Sequence, residues 1–388
     1  MPKQVKKRKR HIRKSLIVVL VIAIVAVFSA CYIPKYIEDK NLKNLGYSSE
    51  TIETIKEKNL TNTILTNNYY SKYLEQSIQD NTLNQSYISL YAAITTDRTL
   101  TDTDLLLYNR LMDKGYEEDQ LQNLFNNLSF YELTPLLVFD YQWDENPYIE
   151  DCQNHRDTNS ESSFSLSDSY YQLYKLQKEI TNPTNLNTLV NSTYGLTSDY
   201  VPTNLTDVNT QYAVTGVQLV DKVQQAFIEL SMSGMQEGHY FFATTGYNSY
   251  QAQESAYNSL LSRMSESEAD QVGIRAGHSE HQLGLAVNVA ATYETSVSFD
   301  QTQTYQWLLE HCNEYGFIQR YPASKTSITG VEGELDHFRY VGKELAKKIT
   351  ASNLTYDEYY ALYLASWDEQ DCIPSQKLLD KLDNYQVD

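Results

Sequence analysis

Four of the chain's seven histidines fall between Gly277 and His337, and two of them sit in patterned surroundings. His281 lies in GHSEHQLGLAVNVA (277–290), just before Gly284 and a short apolar run. That places it at a loop–strand junction, where side chains from several elements converge. His337 follows Glu334 by three residues in GELDHFRYVG (333–342). A catalytic zinc takes about three nitrogen, oxygen or sulfur ligands and keeps one position open for water. It also needs a carboxylate that accepts a proton from that water and returns it to the leaving amine. His281, position 288, His337 and Glu334 match this requirement except that residue 288 is an asparagine. ExxH segments with a distant histidine also arise by chance in acidic chains, so spacing alone leaves a structural role open. His311, inside a helical pattern, reads as structural.

The elements that must position these residues are of mixed type. Val217–Ser233, Gln251–Met264, Thr304–Tyr315 and Lys343–Ile349 carry helical patterns. His239–Thr244, Leu285–Val289, Phe317–Tyr321 and Phe338–Val341 read as strands. Irregular separations between the strands point to an α+β fold rather than a βαβ series. Residues 34–155 are polar and helical, with a weak internal repeat: LGYSSETIETI (45–55) aligns with KGYEEDQLQNL (114–124). In both, Gly-Tyr precedes an acidic or hydroxyl-rich first turn and apolar residues three apart, as an amphipathic helix begins. This region reads as a helical stalk or spacer.

Charge divides the chain sharply. Eight of the 31 basic residues lie in 1–15 with no acid, leaving 23 against 50 acidic residues in the rest. So acidic a body argues against a nucleic-acid partner. The apolar run 16–33 has the length of a short membrane span. By the positive-inside rule the chain is expected to be single-pass in the cell membrane, with 1–15 cytoplasmic and the body extracellular. A cleaved signal peptide, or lipid anchoring at Cys31, is the alternative. Cys31, Cys152, Cys312 and Cys372 do not make a disulfide framework in a chain of 388 residues. The expected organisation is then a basic tail (1–15), anchor (16–33), helical spacer (34–155), linker and connecting helix (156–184), catalytic-type domain (185–352) and acidic tail (353–388).

SEHQLGLAVN and ELDHFRYVG together resemble the signature of the LAS-type zinc D-Ala-D-Ala carboxypeptidases of the vancomycin-resistance kind, S-x-H-x-x-G-x-A-x-D followed by E-P-W-H-F-R-Y-V-G. The resemblance continues through STYGLTSDYVPTNL (192–205), TTGYNSYQAQ (244–253) and EYGFIQRYPASKTSITG (314–330), in order and at family spacing. It implies an α+β peptidase domain with a small antiparallel sheet and flanking helices, preceded by the helical region and the membrane helix. It implies one zinc ion held by His281, Asn288 and His337, with Glu334 as catalytic base and Ser279 contacting the substrate backbone. The implied partner is a peptidoglycan stem peptide, and a protein partner of the helical region is a second. Three positions depart from the pattern, all in the site. Asn288 replaces the aspartate ligand, Asn248 the arginine of the Gly-Tyr-Arg-Ser turn, and Asp336 the tryptophan before the last histidine. In an extended segment Asp336 and His337 would point to opposite sides, which would keep Asp336 from substituting for the missing carboxylate. Together the departures point to a copy with impaired zinc binding, with an active D,D-carboxypeptidase as the alternative.

Overall fold

A computed structural model describes residues 17–21, 32–93, 100–139, 143–156, 174, 177–294, 296–332 and 334–365. The chain divides into two compact units, Met1–Thr101 and Asp102–Asp388. Among the described residues no helix is long and apolar enough to cross a membrane, and most of the expected anchor at 16–33 lies outside them.

The first unit is helical. Its repeat motif is local structure: Gly46 closes the preceding helix at φ 125° and Tyr47 is buried. Ser48 then caps α1 (Ser49–Glu57), which buries Ile52 and Ile55. The second copy, in the other unit, follows the same plan. Gly115 has φ 100°, Tyr116 is buried, and Glu117 opens α2 (Glu118–Asn127), which buries Leu121 and Leu124. Left-handed backbone at these two positions is what requires glycine.

The second unit is built around a four-stranded antiparallel sheet. Its strands are β1 (Phe241–Thr245), β2 (Ala286–Ala291), β3 (Phe317–Gln319) and β4 (His337–Tyr340), ordered β1-β2-β4-β3. A small hairpin, Leu205–Asp207 with Gln218–Val220, leads into α3 (Asp221–Glu237). The sequence pattern misses that hairpin because its strands are only three residues long, and it reads Val217–Val220 as helix. The helix α3 presents Val223, Phe227 and Leu230 to the core, where Phe227 meets the rings of Phe241 and Phe317 edge-on. With Phe338, Val287 and Val289 these side chains make one apolar cluster beneath the sheet.

Residues 102–155 belong to this second unit and are not a spacer separate from it. Tyr131 Oη donates to the Ser352 carbonyl at 3.1 Å, and Thr134 Oγ1 donates to Glu358 Oε1 at 2.5 Å. Nor does the domain stop at 352. The four-residue helix α4 (Tyr356–Tyr359) buries all its side chains, so the described part of the expected acidic tail is core. The sequence reads that segment as a short acidic appendix; its carboxylates Asp357 and Glu358 are instead buried against partners. Replacing Phe227 with alanine should cost about 3–5 kcal/mol through lost burial and the cavity left behind, read as a lower denaturant midpoint with unchanged slope.

Candidate metal and peptide site

The site forms at one end of the sheet. Ser279 initiates a tight turn, Glu280–Leu283, by accepting the His281 N–H on its hydroxyl at 3.3 Å. Gly284, at φ 66°, ends the turn and directs the chain into β2. Asn288 on β2 stands directly opposite His337 on β4 in the ladder, close enough for their side chains to meet. The imidazoles of His281 and His337 pack edge-to-face with centroids 4.8 Å apart. Asn248 enters from the loop after β1, its N–H donating to the His281 carbonyl at 3.3 Å. His281, Asn288, His337 and Glu334 are therefore gathered in one place beside the Asn248 backbone, and Ser279 is buried and engaged in the turn.

Asp336 differs from its expectation. Residues 335–336 form a turn before β4, not an extended strand. Asp336 consequently reaches Asn288, whose Nδ2 donates to Asp336 Oδ2 at 3.2 Å. Burial pushes the Asp336 carboxyl up, and neighbouring Glu334 adds to that.

Behind the histidines lies a buried charge cluster that sequence reasoning missed. Glu280 is fully buried, and its Oε1 accepts from Arg320 Nε and Arg339 Nη1, each at 2.9 Å. Arg320 also forks onto Asp357 at 2.6 and 3.2 Å, while Arg339 donates to the carbonyls of Leu186 and Thr188. Burial alone would raise the Glu280 carboxyl, but the guanidiniums of Arg339 and Arg320 outweigh it and hold it well below the usual range. The other oxygen, Glu280 Oε2, lies 3.5 Å from His337 Nε2, and Glu334 Oε2 lies 3.2 Å from His337 Nδ1. Both approaches are at ion-pairing distance yet off the hydrogen-bond directions, since neither ring nitrogen has a hydrogen-bond partner. Burial favours the neutral His337 ring, but the two carboxylates prevail and raise it to about 9. His281, buried and facing His337, is pulled down. One signal for the cluster existed in the sequence: an arginine inside the apolar strand HFRY needs a buried counter-charge.

Can these residues hold a metal? His281 Nδ1, Asn288 Oδ1 and His337 Nδ1 are buried without hydrogen-bond partners, which is costly unless something else satisfies them. Two nitrogens and an oxygen suit a zinc ion. A carboxylate facing the second nitrogen of a ligating histidine, as Glu280 faces His337, is the usual supporting arrangement. The residues fit, with a neutral amide as the weak member. Among the described residues no three His, Cys, Asp or Glu are grouped to hold a metal, because the third donor here is an amide.

Known proteins share the domain that carries these residues. Residues 216–343 match the family model VanY, D-alanyl-D-alanine carboxypeptidase. The chain is 32% identical over 214 residues to a protein named as carboxypeptidase YodJ of Bacillus subtilis, covering 51% of this chain and 77% of that one. It is 32% identical to a D-alanyl-D-alanine carboxypeptidase of Enterococcus faecalis, covering 39% and 59% respectively. The solved structure of the vancomycin-resistance D,D-pentapeptidase VanY with Zn(II) is 30% identical, covering 45% of this chain and 97% of that one at a TM-score of 0.39. The chain belongs to the D-alanyl-D-alanine carboxypeptidase family.

Removing the central carboxylate tests the buried cluster. Glu280→Gln leaves two guanidiniums short of a counter-charge and should destabilise the second unit by about 3–5 kcal/mol. Because this carboxyl is held below its unfolded value of about 4.3, its contribution is complete above that pH and drains away as the pH falls toward the depressed folded value. Denaturant unfolding between pH 7 and pH 3 should therefore show the two proteins converging in acid.

Proposed function

We propose that this chain is a cell-surface protein that engages the stem peptides of peptidoglycan through a D-Ala-D-Ala carboxypeptidase-like site with impaired zinc binding. The observation that carries the reading is Asn288 lying opposite His337, where two buried histidines and Glu334 await a third, anionic ligand. His281, Asn288 and His337 would hold the ion. A zinc ion bound there supplies Lewis acidity toward the scissile carbonyl and a more acidic water. Glu334 would accept a proton at Oε2 and pass it on to the leaving amine. A small cleft lined by Tyr174, Asn191, Asp270, His278 and Tyr321 opens beside Glu334.

Two substitutions weaken turnover separately. A neutral amide in place of a carboxylate should cost at least the ~10–100-fold in metal affinity that lost supporting contacts cost. Asn248 carries no charge where an arginine would stabilise a developing negative charge, an effect typically worth ~10²–10³ in rate. The run 16–33 and the basic residues before it support anchoring in the cell membrane with the body outside.

The test uses a pentapeptide ending in D-Ala-D-Ala. Calorimetry should register binding with and without zinc, and mass spectrometry should find little D-alanine released. The double change Asn288→Asp and Asp336→Trp should raise zinc affinity at least about tenfold. Absence of peptide binding would sink the stem-peptide assignment. One zinc retained per chain through purification, with D-alanine release that Glu334→Ala abolishes, would sink the impairment.

A further inference from the structure

A primary amide has two faces, a donating NH2 and an accepting carbonyl, and its surroundings decide which way it points. For Asn288 the neighbour on one side is Asp336, whose Oδ2 is 3.2 Å from Asn288 Nδ2. That contact sets the NH2 toward Asp336 and turns Oδ1 away from it. That oxygen is buried without a hydrogen-bond partner, as are the Nδ1 atoms of His281 and, 3.2 Å from Glu334 Oε2, of His337. Both histidines are more than nine-tenths buried. Three donor atoms left unsatisfied in one dry place are what a divalent cation would complete.

We propose that Asp336 is a positioning residue that orients the Asn288 amide so that Oδ1 serves, with His281 and His337, as the third donor to a divalent metal ion. The carboxylate missing at position 288 is in effect moved one step outward. From there it fixes and polarises a neutral ligand, as carboxylates behind ligating histidines do. The turn at 335–336 makes this geometry available, since an extended backbone would aim Asp336 away from His337 and Asn288. The inference rests on the reading above that a weakened metal site persists, but it does not depend on peptide binding.

Cobalt(II) titration of the full-length protein, followed by its visible absorption and by competition with zinc, reads metal affinity without reference to activity. The wild-type chain should bind one Co(II). Asp336→Ala should weaken that binding by ~10–100-fold, and Asp336→Asn, whose side-chain oxygen still accepts from the Asn288 NH2, should recover most of it. In the Asn288→Asp background the loss should largely vanish, because a carboxylate at 288 offers either oxygen as a donor and needs no neighbour to orient it. Equal weakening by Asp336→Ala in both backgrounds would make Asp336 itself a ligand and overturn the proposal. So would an unchanged affinity in the Asn288 background, or no Co(II) bound by the folded wild type. Peptide binding in that last case would leave the stem-peptide reading standing.

Discussion

The rest of the second unit hangs on a single buried carboxylate with two guanidiniums around it. Glu280 has no solvent to share its charge, so Arg320 and Arg339 must stay where they are. Each arginine then ties down a separate part of the chain. Arg320 captures Asp357 on α4, and Arg339 captures the backbone at 186–188. The N-terminal edge of the domain, its C-terminal helix and the site turn are thereby fixed to one point. Such clusters are weak contributors to net stability but severe when broken. Their value here is geometric, since Glu280 is the neighbour of His281 in sequence and of His337 in space.

The same cluster explains how the site can lose charge without losing shape. The two histidines are positioned by the sheet register, the edge-to-face packing between them, and Glu280 behind. None of these depends on residue 288 or residue 248. Asparagine at both positions therefore changes the chemistry available while the scaffold around it keeps its geometry. Asp336 reintroduces a carboxylate, though on the far side of the Asn288 amide.

Much of this was legible in the sequence, and the physical reasons separate what was from what was not. Long patterned elements such as α3 and the site strands announce themselves by periodicity, and the repeat motif by its Gly-Tyr and first-turn acids. The clustering of His281, Asn288, His337 and Glu334 was reachable from spacing together with family resemblance. The partners in the Glu280 cluster were not, because pairing between residues 37 to 59 positions apart leaves no local pattern. The direction of Asp336 was misjudged for a related reason: one turn at 335–336, invisible in the residue types, decides it. Acidic composition likewise concealed that Asp357 and Glu358 are buried.

The stretch that matches the family model, 216–343, is shorter than the stretch that can keep its own charges neutralised. Asp357 lies beyond one end, and the carbonyls of Leu186 and Thr188 lie beyond the other. A cut at either boundary, by a protease or by gene rearrangement, would strip counter-charge from arginines that no water reaches. Electrostatic closure of the cluster therefore needs at least the stretch from about Leu186 to Asp357.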